Sequence, residues 1–130
     1  RVTSDMKRAE TPRARALAAK LKPYLDQLGG LIQQAAADLR SDKQPVLLTN
    51  ASCFLNVFSS CVVSWIWLRQ ANVAEQALAN GAGEQDADFY EGKLAAAEYF
   101  LNWELPLVSR DIEVLSSREA TCNNVKASYF

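Results

Sequence analysis

The sequence predicts an all-α fold, an antiparallel bundle of three long helices with a short C-terminal tail. Three observations carry this. Apolar residues recur at three- and four-residue steps along three separate stretches, as on helices with a buried face. No stretch alternates apolar and polar residues as a half-buried strand does. The breaks between stretches are short, which makes successive helices antiparallel neighbours. The chain has 130 residues, 49% hydrophobic and 22% charged, enough for one domain with its own core. We expect that domain to span residues 1–130, with residues 1–10 and 116–130 extended or poorly ordered.

The first helix carries Leu17, Leu21, Tyr24, Leu25, Leu28, Ile32, Ala35 and Leu39 as its stripe. Thr11-Pro12 marks its start, because a proline in the first turn loses no intrahelical bond. Pro23 is expected to kink or split it, since the ring lacks a donor and clashes one turn back. Gly29-Gly30 weakens it further, or lets another helix approach closely. A loop from Ser41 to Gln44 follows.

The second helix runs from about Val46 to Asn80. One face reads Ala51, Leu55, Phe58, Val62, Ile66, Arg69 and Val73; another reads Cys53, Val57, Cys61, Ser64, Leu68 and Ala71. Two apolar faces predict a central helix buried on two sides. No charge falls between Gln44 and Leu68, so a membrane span competes. Asn50, Ser52, Asn56, Ser59, Ser60 and Ser64 argue against it, because lipid disfavours such side chains. We therefore expect a core helix that is not transmembrane.

Gly81 and Gly83 offer left-handed caps at its end. Glu84, Asp86, Asp88 and Glu91 suit the start of a third helix, with Asp86 or Asp88 as N-cap. Its stripe is Leu94, Ala97, Leu101, Leu105, Val108, Ile112 and Leu115. Pro106 lies inside it and predicts a kink near Asn102.

The chemistry is sparse. The chain has no histidine, which removes the commonest general base and the usual zinc ligand. Cys53 and Cys61 sit about 12 Å apart along one helix, too far to bridge. Three cysteines without a CxxC pair fit free thiols in a reducing, cytoplasmic setting. Glu91, Glu98 and Glu104 read as solvated charges on a helix face, and Lys93 as a snorkelling surface lysine. Trp65 and Trp67 face opposite sides of the second helix, one inward and one toward a second domain. Arg1 to Lys22 holds seven basic residues against two acidic ones, a balance of +5 in a chain of net charge −1. A solvated face is the reading of that cluster; an acidic neighbour or a phosphate is the alternative. No basic-aromatic stripe points to nucleic acid. No residue is assigned to catalysis, cofactor binding or metal binding.

Two segments together resemble a known family. Asn50-Ala-Ser-Cys-Phe-Leu-Asn-Val-Phe with Ser64-Trp-Ile-Trp-Leu-Arg-Gln-Ala resembles the central helix of the C-terminal extension domain of large bacterial acyl-CoA dehydrogenases. Phe89-Tyr-Glu-Gly-Lys-Leu-Ala-Ala-Ala97, with Tyr99-Phe100 and Glu104-Leu105-Pro106, resembles the helix that follows. Thr121-Cys122 through Tyr129-Phe130 resembles the closing tail. Ser59 departs from the pattern, where a glycine is expected at a close helix crossing.

The resemblance implies a chain cut from the C-terminus of a larger flavoenzyme, and the start at Arg1 fits that. Its parent would oxidise acyl-CoA thioesters between the α and β carbons, with FAD as cofactor and an electron-transfer flavoprotein as acceptor. It would pack on the parent's catalytic body, contribute no cofactor site or chemistry itself, and belong to a possible homo-oligomer. A free-standing helical interaction module is the alternative.

Overall fold

The computed structural model describes residues 1–7, 9 and 11–130. Arg8 and Glu10, both part of the N-terminal charge balance, lie outside the described residues. The elements are α1 (Val2–Lys7), α2 (Pro12–Asp38), α3 (Gln44–Thr49), α4 (Ala51–Ala79) and α5 (Glu84–Tyr99). A π turn, Phe100–Glu104, and a 3-10 turn, Leu105–Val108, lead into α6 (Ser109–Ser117). A short α7 (Thr121–Asn124) and a 3-10 turn, Ala127–Tyr129, close the chain. No strand occurs among the described residues. Short helical turns, α1 and α7 among them, lie within the two ends expected to be extended or poorly ordered.

Helix α4 is the centre, packed by α2, α5 and α6 and touched by α1. Side-chain contacts fix the directions. The start of α2 meets the end of α4 through Glu75, and the start of α4 meets α6 through Asn56 and Asp111. The core gathers Leu17, Leu21 and Leu28 from α2, Val57, Cys61 and Leu68 from α4, Leu94 from α5, and Leu105, Ile112 and Leu115 beyond it.

Several local expectations are corrected. Pro23 does not split the first helix; α2 runs through it for 27 residues. Pro23 and Ala19 both face solvent, so the carbonyl deprived of its partner is open to water and the core stripe is untouched. Gly29 and Gly30 admit no close neighbour: a Cβ on either would meet nothing within 4 Å. The second helix is broken at Asn50, whose φ of −93° and ψ of 13° separate α3 from α4. Gly81 takes the left-handed conformation, φ 84°, and ends α4. Gly83, however, is the extended N-cap of α5, and Asp86 lies in the first turn rather than at the cap.

Pro106 interrupts the third rod where the sequence placed a kink. Its missing N–H leaves the helix to continue through two other hydrogen-bond patterns. Leu105 N–H donates to Phe100 across the wide π turn, and Ser109 N–H donates to Pro106 across the narrow 3-10 turn.

Candidate docking surface

Helix α4 has two apolar faces, and the bundle covers one. Val57, Cys61, Ser64, Leu68 and Ala71 recur at helical spacing and are buried. Ile66 lies about 180° round the axis from Val57; Leu55 and Val73 fall within about 20° of it, and Phe58 about 80° to one side. All four are exposed, with Leu55 at 65% and Val73 at 62%. The expectation of burial on two sides is therefore wrong for this chain. The stripe from Leu55 to Val73 extends about 27 Å along the helix. Ser59 also sits on this outer side, exposed, so no helix among the described residues crosses α4 there.

The stripe passes into a groove of about 370 Å³ between α4 and α5, lined by Ile66, Arg69 and Val73 and by Phe89, Tyr90 and Lys93. Two cations are held at it by aromatic rings. The Arg69 guanidinium lies 5.6 Å from the Trp65 ring centre, and Lys93 Nζ lies 5.9 Å from Trp67 and 5.5 Å from Phe89. Lys93 is thus a half-buried, ring-stacked cation rather than a loose surface lysine. Trp65 and Trp67 do face different sides, but neither points away from the chain. Trp65 Nε1 donates to Asp5 of α1 at 2.9 Å, and Trp67 packs under Lys93 of α5. The exposed tryptophan is Trp103, at 69%, stacked on Tyr99 with ring centres 6.4 Å apart.

The charged residues build the frame that holds this surface. Glu75, on α4, accepts from the backbone N–H of Arg13 at 3.1 Å and of Ala14 at 3.0 Å, capping α2 from another helix. Partial burial pushes the Glu75 carboxyl up, but those donors and the Arg13 charge outweigh it and hold it below the usual range. Arg13 reaches Glu98 at 2.8 Å and Glu91 at 2.7 Å, which raises its own pKa further. Glu91 and Glu98 are therefore paired across the bundle, not simply solvated. Glu104 accepts from the Tyr99 hydroxyl at 2.9 Å. The basic first helix finds part of its acidic neighbour inside this chain.

Buried Asp111 accepts from Asn56 Nδ2 at 2.5 Å and from Arg110 at 2.6 Å. Burial raises its carboxyl, and the Asn56 and Arg110 contacts more than reverse that. Burial pushes the Cys61 thiol up to about 11 and raises Cys53 as well, so both thiols are protonated and poor nucleophiles at neutral pH. Among the described residues no group of three or more His, Cys, Asp or Glu side chains could hold a metal.

What this arrangement can do is bind along a helix face. The class is an all-helical bundle whose central helix leaves one apolar face uncovered by the described residues. The family follows from comparison with known proteins. The family model described as "Acetyl-CoA dehydrogenase C-terminal like" matches residues 1–126, and the chain belongs to that family. It is 39% identical over 64 residues to the broad-specificity linear acyl-CoA dehydrogenase FadE5 of Mycobacterium tuberculosis. That stretch covers 49% of this chain and 10% of the relative, so the chain spans a small part of that protein's length.

A flavin dinucleotide's pyrophosphate is often held by free backbone donors at a helix start. The α2 start is taken by the Glu75 carboxylate, and the first turn of α5 carries Glu84 and Asp86, which repel phosphate. None of the glycines is pressed against other chain as in a phosphate-cradling loop.

The uncovered face was written in the sequence as an apolar stripe, but periodicity does not say what covers it. The Glu75 cap and the Arg13 bridges join residues 61 to 85 positions apart and carry no local signal.

Proposed function

We propose that this chain is the C-terminal accessory domain of an FAD-dependent acyl-CoA dehydrogenase, and that the outer face of α4 packs on the parent's catalytic body. The parent would carry out α,β-dehydrogenation of acyl-CoA thioesters, hold the FAD, and pass electrons to an electron-transfer flavoprotein. This domain would supply surface and rigidity. The observation that carries the reading is the exposed stripe of Leu55, Phe58, Ile66 and Val73 on the central helix. Contiguous apolar surface of this kind marks an interaction site.

Helix α4 is long and apolar enough by composition to cross a membrane. Its inner face is committed to α2, α5 and α6, so leaving the bundle for lipid would break up the core. That supports a helix that stays within the bundle rather than crossing a membrane.

The test uses the full-length protein. Leu55→Asp with Ile66→Asp should speed proteolytic release of this domain from the body while flavin stays bound there. Release at the unaltered rate would count against the packing role.

A further inference from the structure

The groove between α4 and α5 shows what kind of surface completes the outer face. Between Lys43 and Arg110 the chain has two basic residues, Arg69 and Lys93, against seven acidic ones. Both basic residues line this groove, and no lining residue is acidic. Rings fix both cationic heads: Trp65 under Arg69, and Trp67 with Phe89 under Lys93. Arg69 has a loose partner in Asp5 at 3.7 Å; Lys93 has no carboxylate partner among the described residues. An apolar trough with two held cations complements an apolar segment that carries carboxylates.

The size of the surface decides between a peptide and a small amphiphilic anion. Small-molecule sites enclose most of their ligand. Here Val73 and Phe89 are open, and the trough continues into the α4 stripe toward Leu55. A polypeptide segment can cover that length.

We infer that the groove receives an acidic, apolar segment of the parent's catalytic body, with its carboxylates on Arg69 and Lys93. This rests on the reading that α4's outer face packs on that body. Attraction steers the domain onto the body, and the apolar contacts hold it.

Zero-length carbodiimide coupling of the full-length protein, followed by peptide mass spectrometry, tests this. It should join Lys93 to an Asp or Glu N-terminal to residue 1, and Lys93→Gln should abolish that link. The double charge reversal Arg69→Glu, Lys93→Glu should speed proteolytic release of the domain about tenfold, and added salt should do the same to the unaltered protein. A link from Lys93 only to acids within residues 1–130 would overturn the inference. So would a link only to a second copy in mixed isotope-labelled protein, or a co-purifying fatty anion with Lys93 unlinked. If charge reversal changes nothing while Leu55→Asp with Ile66→Asp accelerates release, the groove inference fails and the packing role stands. If neither changes release, both fail.

Discussion

Arg118 turns left-handed at the end of α6 and grips Asp38 at the end of α2, Nε to Oδ2 at 2.8 Å and Nη2 to Oδ1 at 3.0 Å. Its φ of 53° is the one positive value outside glycine among the described residues. Glu119 N–H donates to Val114 and Arg118 N–H to Leu115, the Schellman closure that usually has glycine at this position. Arginine is here because its side chain reaches a carboxylate 80 residues away, which glycine cannot do.

Two substitutions separate those roles. Arg118→Ala loses the ion pair and keeps the backbone cost; Arg118→Gly loses the pair and relieves the backbone. Both should unfold at lower urea than the parent chain. Glycine should be the more stable of the two by about 1 kcal/mol, the usual cost of a left-handed non-glycine residue. Equal midpoints would show that the backbone carries no strain.

The Glu75 carboxylate does the work of an N-cap from a neighbouring helix. Glu75→Ala should cost about 1 kcal/mol, as loss of an ordinary cap does. Glu75→Gln, which keeps one acceptor, should cost less. Chemical denaturation of the two variants checks the order.

Stability should depend on pH at the two ends and little between. Asp38, Glu75, Asp111 and Glu119 are all held below their ordinary 3.8 or 4.5 in the folded chain. Their contribution is present above those values and is lost as pH falls through the lower folded ones. Cys61 runs the other way: its thiol is raised from 9.0 to about 11, so its contribution is full below 9.0 and is lost as pH rises toward 11. With no histidine, thermal midpoints should be level from about pH 5 to 8. Cys61→Ala should make the alkaline decline shallower, and Glu75→Gln the acid one.

The two faces of α4 should respond oppositely to truncation. Leu68→Ala, on the buried face, should cost about 2–5 kcal/mol, through lost burial and the cavity left behind. Ile66→Ala, on the exposed face, should change the domain's own stability by less than about 0.5 kcal/mol. A large cost for Ile66→Ala would mean that the outer face is already packed within this chain.

The helices were legible because their signals are local. The stripe from Leu94 to Leu115 falls on the core, as does the first-helix stripe from Leu17 to Leu28; beyond that Ile32 and Leu39, assigned to the stripe, are exposed and Leu31 is buried instead. Thr11-Pro12, Gly81 and Pro106 mark real changes of backbone. Pro23 misled because the cost of a helical proline depends on whether the freed carbonyl meets water, a tertiary fact. Glu91 and Glu98 misled for a similar reason: Arg13, their partner, is far away in sequence. The outer stripe of α4 was legible as apolar and illegible as exposed. Hydrophobic spacing reports that a face wants a partner, and only the arrangement of α2, α5 and α6 reveals that no helix among the described residues covers it.

That stripe also bears on how this sequence can drift over generations. A helix with a core on one side and a docking face on the other has few positions free to vary. Saturation mutagenesis of the full-length protein should find α4 the least tolerant helix, intolerant at Ile66 and Phe58 as well as at Leu68. The water-facing side of α2 around Pro23 and Gly29 should accept almost anything. Selection would then guard a surface that the described residues of this chain leave largely open.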